Sequence, residues 1–299
     1  MSLWIPVTIA AALFQTLRFV LQKTLATSTL SAAGATFARF VYSAPLVALL
    51  LAVYLNATGQ ALPALNAAFW GYGALGGLAQ VLATVCVVLL FKARNFAVGI
   101  TFKKTETILS VAVGLVLLGE GVSWIGFAAI CLGVVGVLLL SAPPEAAWRL
   151  RDLGNRATGL GLASGLLFAI SAVSYRAASL ELSATDPLAR AGTTLAAVTA
   201  MQMVGMALWL RWREAGQIRA VWAARRVAVW VGLMSMGGSF CWFLAFTLQT
   251  AAYVKALGQV ELIFSALVTV LFFRERVAPR EWVGIAVLSA SIVALVLVI

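Results

Sequence analysis

Three ionisable side chains lie inside one apolar stretch that is long enough to cross a membrane. The stretch covers residues 99–120 and contains Lys103, Lys104 and Glu106. An ionised side chain at bilayer depth is costly unless it is paired or hydrated, and such residues usually mark solute pathways or proton relays. Because Lys103 and Glu106 are three residues apart, they can pair on one helix, whereas Lys104 points away from Glu106. The stretch is therefore a candidate site for binding a polar solute or carrying a coupling ion.

The same pattern returns 155 positions later. Glu261 and Ser265 stand in the second stretch where Glu106 and Ser110 stand in the first. A duplicated span with a glutamate near its centre is typical of transporters built from two repeats. We interpret each glutamate as a carrier of a coupling proton or as a ligand for a substrate amine. The alternative for each is a structural pair with a nearby lysine.

Polar residues on other apolar stretches complete the candidate site. Gln15 and Arg18 share one face of the first stretch. Arg18 and Lys103 are candidates to bind a substrate carboxylate, with an ion pair to Glu106 as the alternative. Lys104 and Lys255 either take part or extend towards the membrane surface. The expected substrate-binding or coupling residues are Gln15, Arg18, Gln80, Lys103, Glu106, Ser110, Ser171, Tyr175, Trp242, Lys255, Gln259, Glu261 and Ser265.

The composition predicts an integral membrane protein. Of 299 residues, 63% are hydrophobic and only 10% are charged. The net charge of +11 does not indicate nucleic-acid binding, because the basic residues lie mostly in short loops between apolar runs. The chain has no histidine, and its three cysteines lie within apolar segments. We therefore expect no metal site and no cofactor, and no set of catalytic residues that would make the chain an enzyme.

The hydropathy pattern predicts an all-α membrane fold with ten transmembrane helices. The predicted spans are 3–23, 35–55, 67–91, 97–118, 122–140, 157–176, 187–210, 226–248, 252–273 and 280–299. A polar interrepeat loop at 143–156 separates a first repeat at 1–142 from a second at 157–299. Since each half has five helices, the second must cross the membrane in the opposite direction, which makes the two halves inverted repeats.

The basic loop residues fall almost entirely on one side of this predicted topology. The loop at 211–226 carries five arginines, and the equivalent loop of the first half carries no basic residue. Arg39 and Arg176 lie near predicted helix ends and are interpreted as anchors. By the positive-inside rule the basic side is cytoplasmic, so both termini are predicted to face the periplasm.

Several short motifs resemble the drug/metabolite transporter superfamily, in its ten-helix branch of paired EamA-type repeats. They are Ala38-Arg39 and Ala189-Arg190 opening the second and seventh helices, and Glu120 and Glu275 closing the fourth and ninth. The resemblance implies a carrier of the bacterial inner membrane that has a central cavity between the two halves and works by alternating access. Proteins similar to it export amino acids, including aromatic ones, or other metabolites.

We expect a secondary active transporter for a small polar or zwitterionic metabolite, in particular an amino-acid exporter. No ATP-binding motif is visible, so a gradient must supply the energy, with protons as the candidate coupling ion. The expected partners are the small-molecule substrate and the lipid bilayer, and the chain is expected to act as a monomer or a homodimer. The alternatives are a broad exporter of lipophilic cations and a membrane-embedded lipid-modifying subunit.

Overall fold

The computed structural model describes residues 2–28, 30–91, 102–141, 156–271 and 279–298, and these ranges contain twelve α-helices and no β-strand. Residues 142–155 lie outside them, so the predicted interrepeat loop is not described except for Arg156. The helices are α1 (Trp4–Ser28), α2 (Ala32–Thr58), α3 (Ala67–Phe91), α4 (Glu106–Leu118), α5 (Trp124–Ser141), α6 (Arg156–Leu180), α7 (Pro187–Arg213), α8 (Gly216–Ala223), α9 (Arg225–Leu248), α10 (Ala251–Leu257), α11 (Val260–Leu271) and α12 (Pro279–Val298).

Seven helices within the described ranges are long and apolar enough to cross a membrane. They are α1, α2, α3, α6, α7, α9 and α12, and each coincides with a predicted span. Helices α4 and α5 are apolar but shorter. An all-helical, apolar chain with seven such helices is compatible with a multi-pass membrane protein.

The fourth and ninth predicted spans are interrupted, and the prediction of continuous helices over 97–118 and 252–273 is therefore wrong in its described part. A turn at 104–105 precedes α4, and a turn at 258–259 separates α10 from α11. In the first turn Thr107 N–H donates to Lys104 O at 3.4 Å, and in the second Leu262 N–H donates to Gln259 O at 2.9 Å. These i to i−3 bonds are 3₁₀-like, and they lie 155 residues apart, as Glu106 and Glu261 do.

The first interruption packs closely against another helix. Gly165 of α6 lies so close to this turn that a Cβ there would be 2.9 Å from Lys103 O. Glycine therefore allows α6 to approach the backbone at the interruption. In the second interruption Gly258 itself disfavours a continuous helix, because glycine has a low helix propensity.

The long helices pack in pairs that join the two halves of the chain. Helix α1 packs on α9, α3 on α6, α2 on α7, and α5 on α12. At Gly136 of α5 a Cβ would lie 2.7 Å from Leu288 N of α12, so the two backbones are in close contact. Small residues permit such contacts between helices that have little hydrophobic driving force in lipid.

Two groups of hydrogen bonds mark opposite ends of the bundle. At one end Asp186 accepts from Tyr54 Oη at 2.6 Å, and Asn66 Nδ2 donates to Glu181 at 3.0 Å. At the other end Ser31 N–H donates to Gln217 Oε1 at 2.9 Å. The loop that follows α2 therefore lies beside the loop that follows α6, and the loop that follows α1 lies beside α8.

Asp186 begins α7 as its N-cap, directly before Pro187. Its carboxylate accepts hydrogen bonds from the backbone N–H groups of Leu188 and Ala189. Partial burial of Asp186 opposes its ionisation, but the hydrogen bonds from Tyr54 and Leu188 outweigh this effect and hold the pKa of the carboxyl below its ordinary value.

Candidate substrate-binding and coupling site

Glu106 lies at the first residue of α4 and is buried with two lysines. Its Oε1 is 3.5 Å from Lys103 Nζ, and its Oε2 is 3.9 Å from Lys255 Nζ. Oε2 has no hydrogen-bond partner among the described residues. The predicted pair of Lys103 and Glu106 is confirmed, and Lys255 of α10 is a second cation at the same carboxylate. Glu106 is therefore paired by charge, while one of its oxygens is not held by a hydrogen bond.

Glu261, in the first turn of α11, is held by two neighbours from the first half of the chain. Lys104 Nζ forms an ion pair with its Oε1, and Gln15 Nε2 donates a hydrogen bond of 2.5 Å to its Oε2. Lys104 and Lys255 are both buried, so the alternative in which they extend to the membrane surface is wrong. Lys104 connects the two helix interruptions. It lies in the turn at 104–105 and pairs with Glu261, which follows the turn at 258–259.

Gln259 provides a second link between the interruptions. Its Nε2 donates to Thr107 Oγ1 at 2.7 Å, so it does not face the cavity described below. Ser110 donates from Oγ to Glu106 O at 2.7 Å within α4 and is also absent from the cavity wall. Both residues therefore lie outside the cavity wall, and their polar groups are used in contacts between and within helices. Ser265 lies on α11, and its side chain is outside the described part.

Lys255 is surrounded by aromatic rings. Its Nζ lies 4.8 Å from the centre of the Trp242 ring, 5.6 Å from that of Phe168 and 5.8 Å from that of Phe246. Ring faces attract a cation and stabilise it where water is scarce. Lys103 Nζ lies 5.1 Å from the centre of the same Phe168 ring, so Phe168 is shared by both lysines that approach Glu106.

Two buried arginines lie on the other side of the site. Arg18 Nη1 donates to Gln22 Oε1 at 2.9 Å, and Arg39 Nη2 donates to Ser239 Oγ at 3.0 Å. Neither arginine has a carboxylate within ion-pair distance among the described residues. The interpretation of Arg39 as an anchor at a helix end is wrong, because α2 begins at Ala32 and places Arg39 two turns inside the bundle.

A hydrogen-bonded amide and phenol group lies on the third side. Tyr175 Oη donates to Gln80 Oε1 at 3.0 Å, and Gln202 Nε2 donates to the same oxygen at 3.0 Å. Gln202 also donates to Gly77 O at 2.9 Å. These bonds connect α3, α6 and α7 and hold Gln80 and Tyr175 in fixed orientations.

These residues enclose a small central cavity of about 30 Å³. This volume accommodates about one or two water molecules. Seven of the predicted residues line the cavity, namely Gln15, Arg18, Gln80, Ser171, Tyr175, Trp242 and Lys255. Lys103, Glu106 and Glu261 do not line it, but each contacts a lining residue: Lys103 contacts Phe168, Glu106 contacts Lys255, and Glu261 contacts Gln15.

The sequence reasoning missed several cavity residues. Arg39, Phe168, Ser239 and Phe243 line the cavity and were not among the predicted site residues. A usable signal existed for Arg39, because an arginine in an apolar stretch is costly wherever it lies within the bilayer. The aromatic residues had no such signal, since phenylalanines in apolar helices usually contact lipid or pack against other helices.

Glu120 and Arg176 form a separate ion pair at one end of the bundle. Arg176 Nε lies 2.7 Å from Glu120 Oε2, and Arg176 Nη1 donates to Phe246 O at 2.8 Å and to Gln249 O at 2.9 Å. One arginine therefore ties α6 to the end of α4 and to the end of α9.

Comparison with known proteins shows the fold alone. No family model matches the chain, and no curated protein matches it. A solved crystal structure of a protein is similar over 97% of this chain and 99% of that chain, with a TM-score of 0.65 and 17% sequence identity. This chain therefore shares its overall helical arrangement with a known fold.

Proposed function

We propose that this protein is a secondary active transporter of the drug/metabolite type, with ten membrane spans arranged as two inverted repeats. It moves a small polar metabolite out of the cell across the bacterial inner membrane by alternating access. The observation that carries the proposal is the central polar cavity, lined by Arg18, Arg39 and Lys255 and connected to the buried carboxylates Glu106 and Glu261. Buried charges around a cavity between apolar helices are typical of solute pathways.

The helix packing supports the inverted repeat. If α1 to α5 are equivalent to α6, α7, α9, α10–α11 and α12, then the α1–α9 pair is equivalent to the α6–α3 pair. The α2–α7 and α5–α12 pairs each join two equivalent helices, so the repeat symmetry maps each pair onto itself. This is the pattern that a two-fold axis in the membrane plane produces. The interrupted helices at equivalent positions also support it, because such interruptions accompany binding sites in repeat transporters.

Coupling to a proton gradient is assigned to Glu106. Its Oε2 lacks a hydrogen bond among the described residues and its cationic neighbours are lysines on two different elements, Lys103 and Lys255. A carboxylate placed this way changes its surroundings when α10 moves relative to α4. Rocking of the helices therefore offers Glu106 a way to gain or lose a proton on alternate sides of the membrane.

Transport by the purified protein in lipid vesicles tests the proposal. We expect saturable uptake of at least one radiolabelled small polar metabolite, and we expect a pH gradient to drive its accumulation. Ser171→Trp should abolish uptake because the cavity of about 30 Å³ cannot hold an indole. Leu162→Trp on the exposed face of the same helix is the matched control and should transport normally. If the folded protein transports none of the small polar metabolites tested, or transports only lipophilic cations, the proposal is rejected.

Membrane orientation has its own test. The clustered contacts of Asp186 with Tyr54 and of Ser31 with Gln217 support the assignment of loops to opposite ends. With both termini in the periplasm, a cysteine at Asn56 or Ala184 should react with an impermeant thiol reagent on intact cells. A cysteine at Gly216 should be protected until the membrane is opened. The reverse labelling would overturn the orientation while leaving the fold intact.

A further inference from the structure

The cavity is lined by three cations and by no carboxylate. Arg18, Arg39 and Lys255 all contribute to its wall, and none of its thirteen lining residues is aspartate or glutamate. The remaining polar wall residues include the amide of Gln80 and the phenol of Tyr175. The lining therefore combines positive charge with hydrogen-bonding groups and apolar rings.

The nearby carboxylates do not neutralise this charge. Glu106 pairs with Lys103 and Glu261 pairs with Lys104, although Glu106 also lies 3.9 Å from Lys255. Among the buried residues that the structure describes, five are cationic and two are carboxylates. The five cations are Arg18, Arg39, Lys103, Lys104 and Lys255. The buried positive charges therefore exceed the buried negative charges by three. If each glutamate is assigned to its nearest lysine, the three unpaired cations are Arg18, Arg39 and Lys255, which all line the cavity.

Hydrogen-bonding capacity is also left over at the cavity wall. A guanidinium has five N–H donors in a planar fork that matches carboxylate or phosphate oxygens. Arg18 donates one side-chain hydrogen bond and Arg39 two within the described residues. Trp242 Nε1, a donor only, has no hydrogen-bond partner among them. The unused groups at the wall are therefore mainly donors, and they call for an acceptor.

We propose that this cavity selects a small organic anion carrying at least two negative charges, bound through carboxylate or phosphate oxygens. This rests on the proposed transport function and names its substrate class. A zwitterion brings no net charge and leaves the excess of three cations unchanged, whereas a dianion removes most of it. Since uncompensated buried charge is strongly unfavourable, the site binds the dianion more tightly than a zwitterion of equal size. Arg18 and Arg39 contact the anionic oxygens, and Lys255 holds the second charge.

Binding of a size-matched series to the purified protein tests the charge class. Succinate, succinamate and succinamide share one carbon skeleton and carry two, one and no negative charges. We expect the affinity to fall by about tenfold or more with each charge removed, and to weaken at high salt. Glycerol phosphate and succinate, compared at equal concentration, separate phosphate from carboxylate recognition. Equal affinity for succinamide and succinate would overturn the proposal.

Variants locate the binding to this cavity. Arg39→Gln and Lys255→Gln should each weaken succinate binding at least tenfold, with little effect on succinamide. Arg219→Gln removes one exposed arginine on α8 and is the matched control, which should bind as the parent does. Arg39→Lys keeps the charge and remains informative if Arg39→Gln does not fold, since it should retain most of the preference for the dianion. Unchanged succinate binding in folded Arg39→Gln and Lys255→Gln would contradict the assignment.

Transport measurements separate this inference from the function on which it rests. Tight succinate binding without transport of any solute would support the anion site and reject the transporter. Transport of zwitterionic amino acids in preference to size-matched dianions would support the transporter and reject the anion site.

Discussion

Glu106 and Glu261 occupy equivalent positions at the starts of α4 and α11, but they are held differently. Glu261 has an ion pair with Lys104 and a hydrogen bond from Gln15. Glu106 has two lysines at 3.5 and 3.9 Å, and its Oε2 has no hydrogen bond among the described residues. Glu261 is therefore fixed by two contacts from the first half of the chain, and under the proposed transport function Glu106 is the glutamate that responds to movement of the halves.

A single sequence difference accounts for much of this contrast. Gln15 on α1 has Phe168 as its equivalent on α6 when Ala11, Gln15, Arg18 and Gln22 are aligned with Ser164, Phe168, Ser171 and Tyr175. Gln15 donates to Glu261, whereas Phe168 has no donor and instead places its ring near Lys103 and Lys255. The second half therefore stabilises the lysines around Glu106 and leaves the carboxylate itself less constrained.

The largest expected effect is on the stability of the Glu261→Gln variant. Removal of this charge leaves Lys104 buried without its ion-pair partner, which should lower the free energy of unfolding by about 3–5 kcal/mol. Thermal unfolding in detergent measures the loss. The double variant Lys104→Gln, Glu261→Gln should recover most of it, because neither charge is then left unpaired. A fully stable single variant would contradict the structural role of Glu261.

A smaller effect is expected when the hydrogen bond to Glu261 is removed. Gln15→Leu keeps approximate size and deletes one donor to a carboxylate, which should cost about 2 kcal/mol of stability. The control is Thr16→Val on the same helix, because the Thr16 hydroxyl only bonds to the backbone carbonyl of Ala12. Equal stability of the two variants would show that the Gln15 bond contributes nothing to the difference between the glutamates.

Glu106→Gln should reduce stability less than Glu261→Gln does. The two lysines near Glu106 are also stabilised by aromatic rings, so we expect a loss of about 1–2 kcal/mol. The two single variants should be compared in the same detergent and buffer. If Glu106→Gln were the less stable of the two, Glu106 would be the structural member of the pair and the comparison would be reversed.

The smallest expected effect comes from a variant that adds a hydrogen-bond donor for Glu106 Oε2. Phe168→Gln places an amide one turn beyond Gly165, where α6 contacts the turn before α4. Relative to Phe168→Leu, which loses the same ring without adding a donor, it should be more stable by about 1 kcal/mol. Transport by Phe168→Gln should be slower than by Phe168→Leu if freedom of Glu106 matters. Faster transport by Phe168→Gln would argue against that requirement.

The sequence predicted the apolar helices well and predicted the site residues in part. Seven predicted spans coincide with long apolar helices, because hydropathy over about 20 residues is a direct physical signal. Arg18, Lys255 and Tyr175 were expected at the site and do line the cavity. Charged residues in apolar stretches carry this information because their burial needs compensation.

The errors arise where tertiary packing overrides the helix pattern. The prediction that Lys104 points away from Glu106 agrees with its ion pair to Glu261, but this partner could not be predicted from an uninterrupted helix, because the chain turns at 104–105. Ser110 was assigned to the cavity by the same helical geometry. Arg39 was placed near a helix end because hydropathy located the start of α2 three residues too late. Pairings between helices, such as Gln259 with Thr107, depend on the packed structure and leave no periodic signal in one sequence.

The most direct test of the account compares two modes of transport in vesicles, for Glu106→Gln and for the double variant Lys104→Gln, Glu261→Gln. We expect Glu106→Gln to lose accumulation driven by a pH gradient while it retains exchange of substrate down its own gradient. The double variant should keep both modes, since its glutamate has a structural role. Gradient-driven accumulation that survives in Glu106→Gln, and is lost in the double variant at normal expression and stability, would contradict the assignment of proton coupling to Glu106.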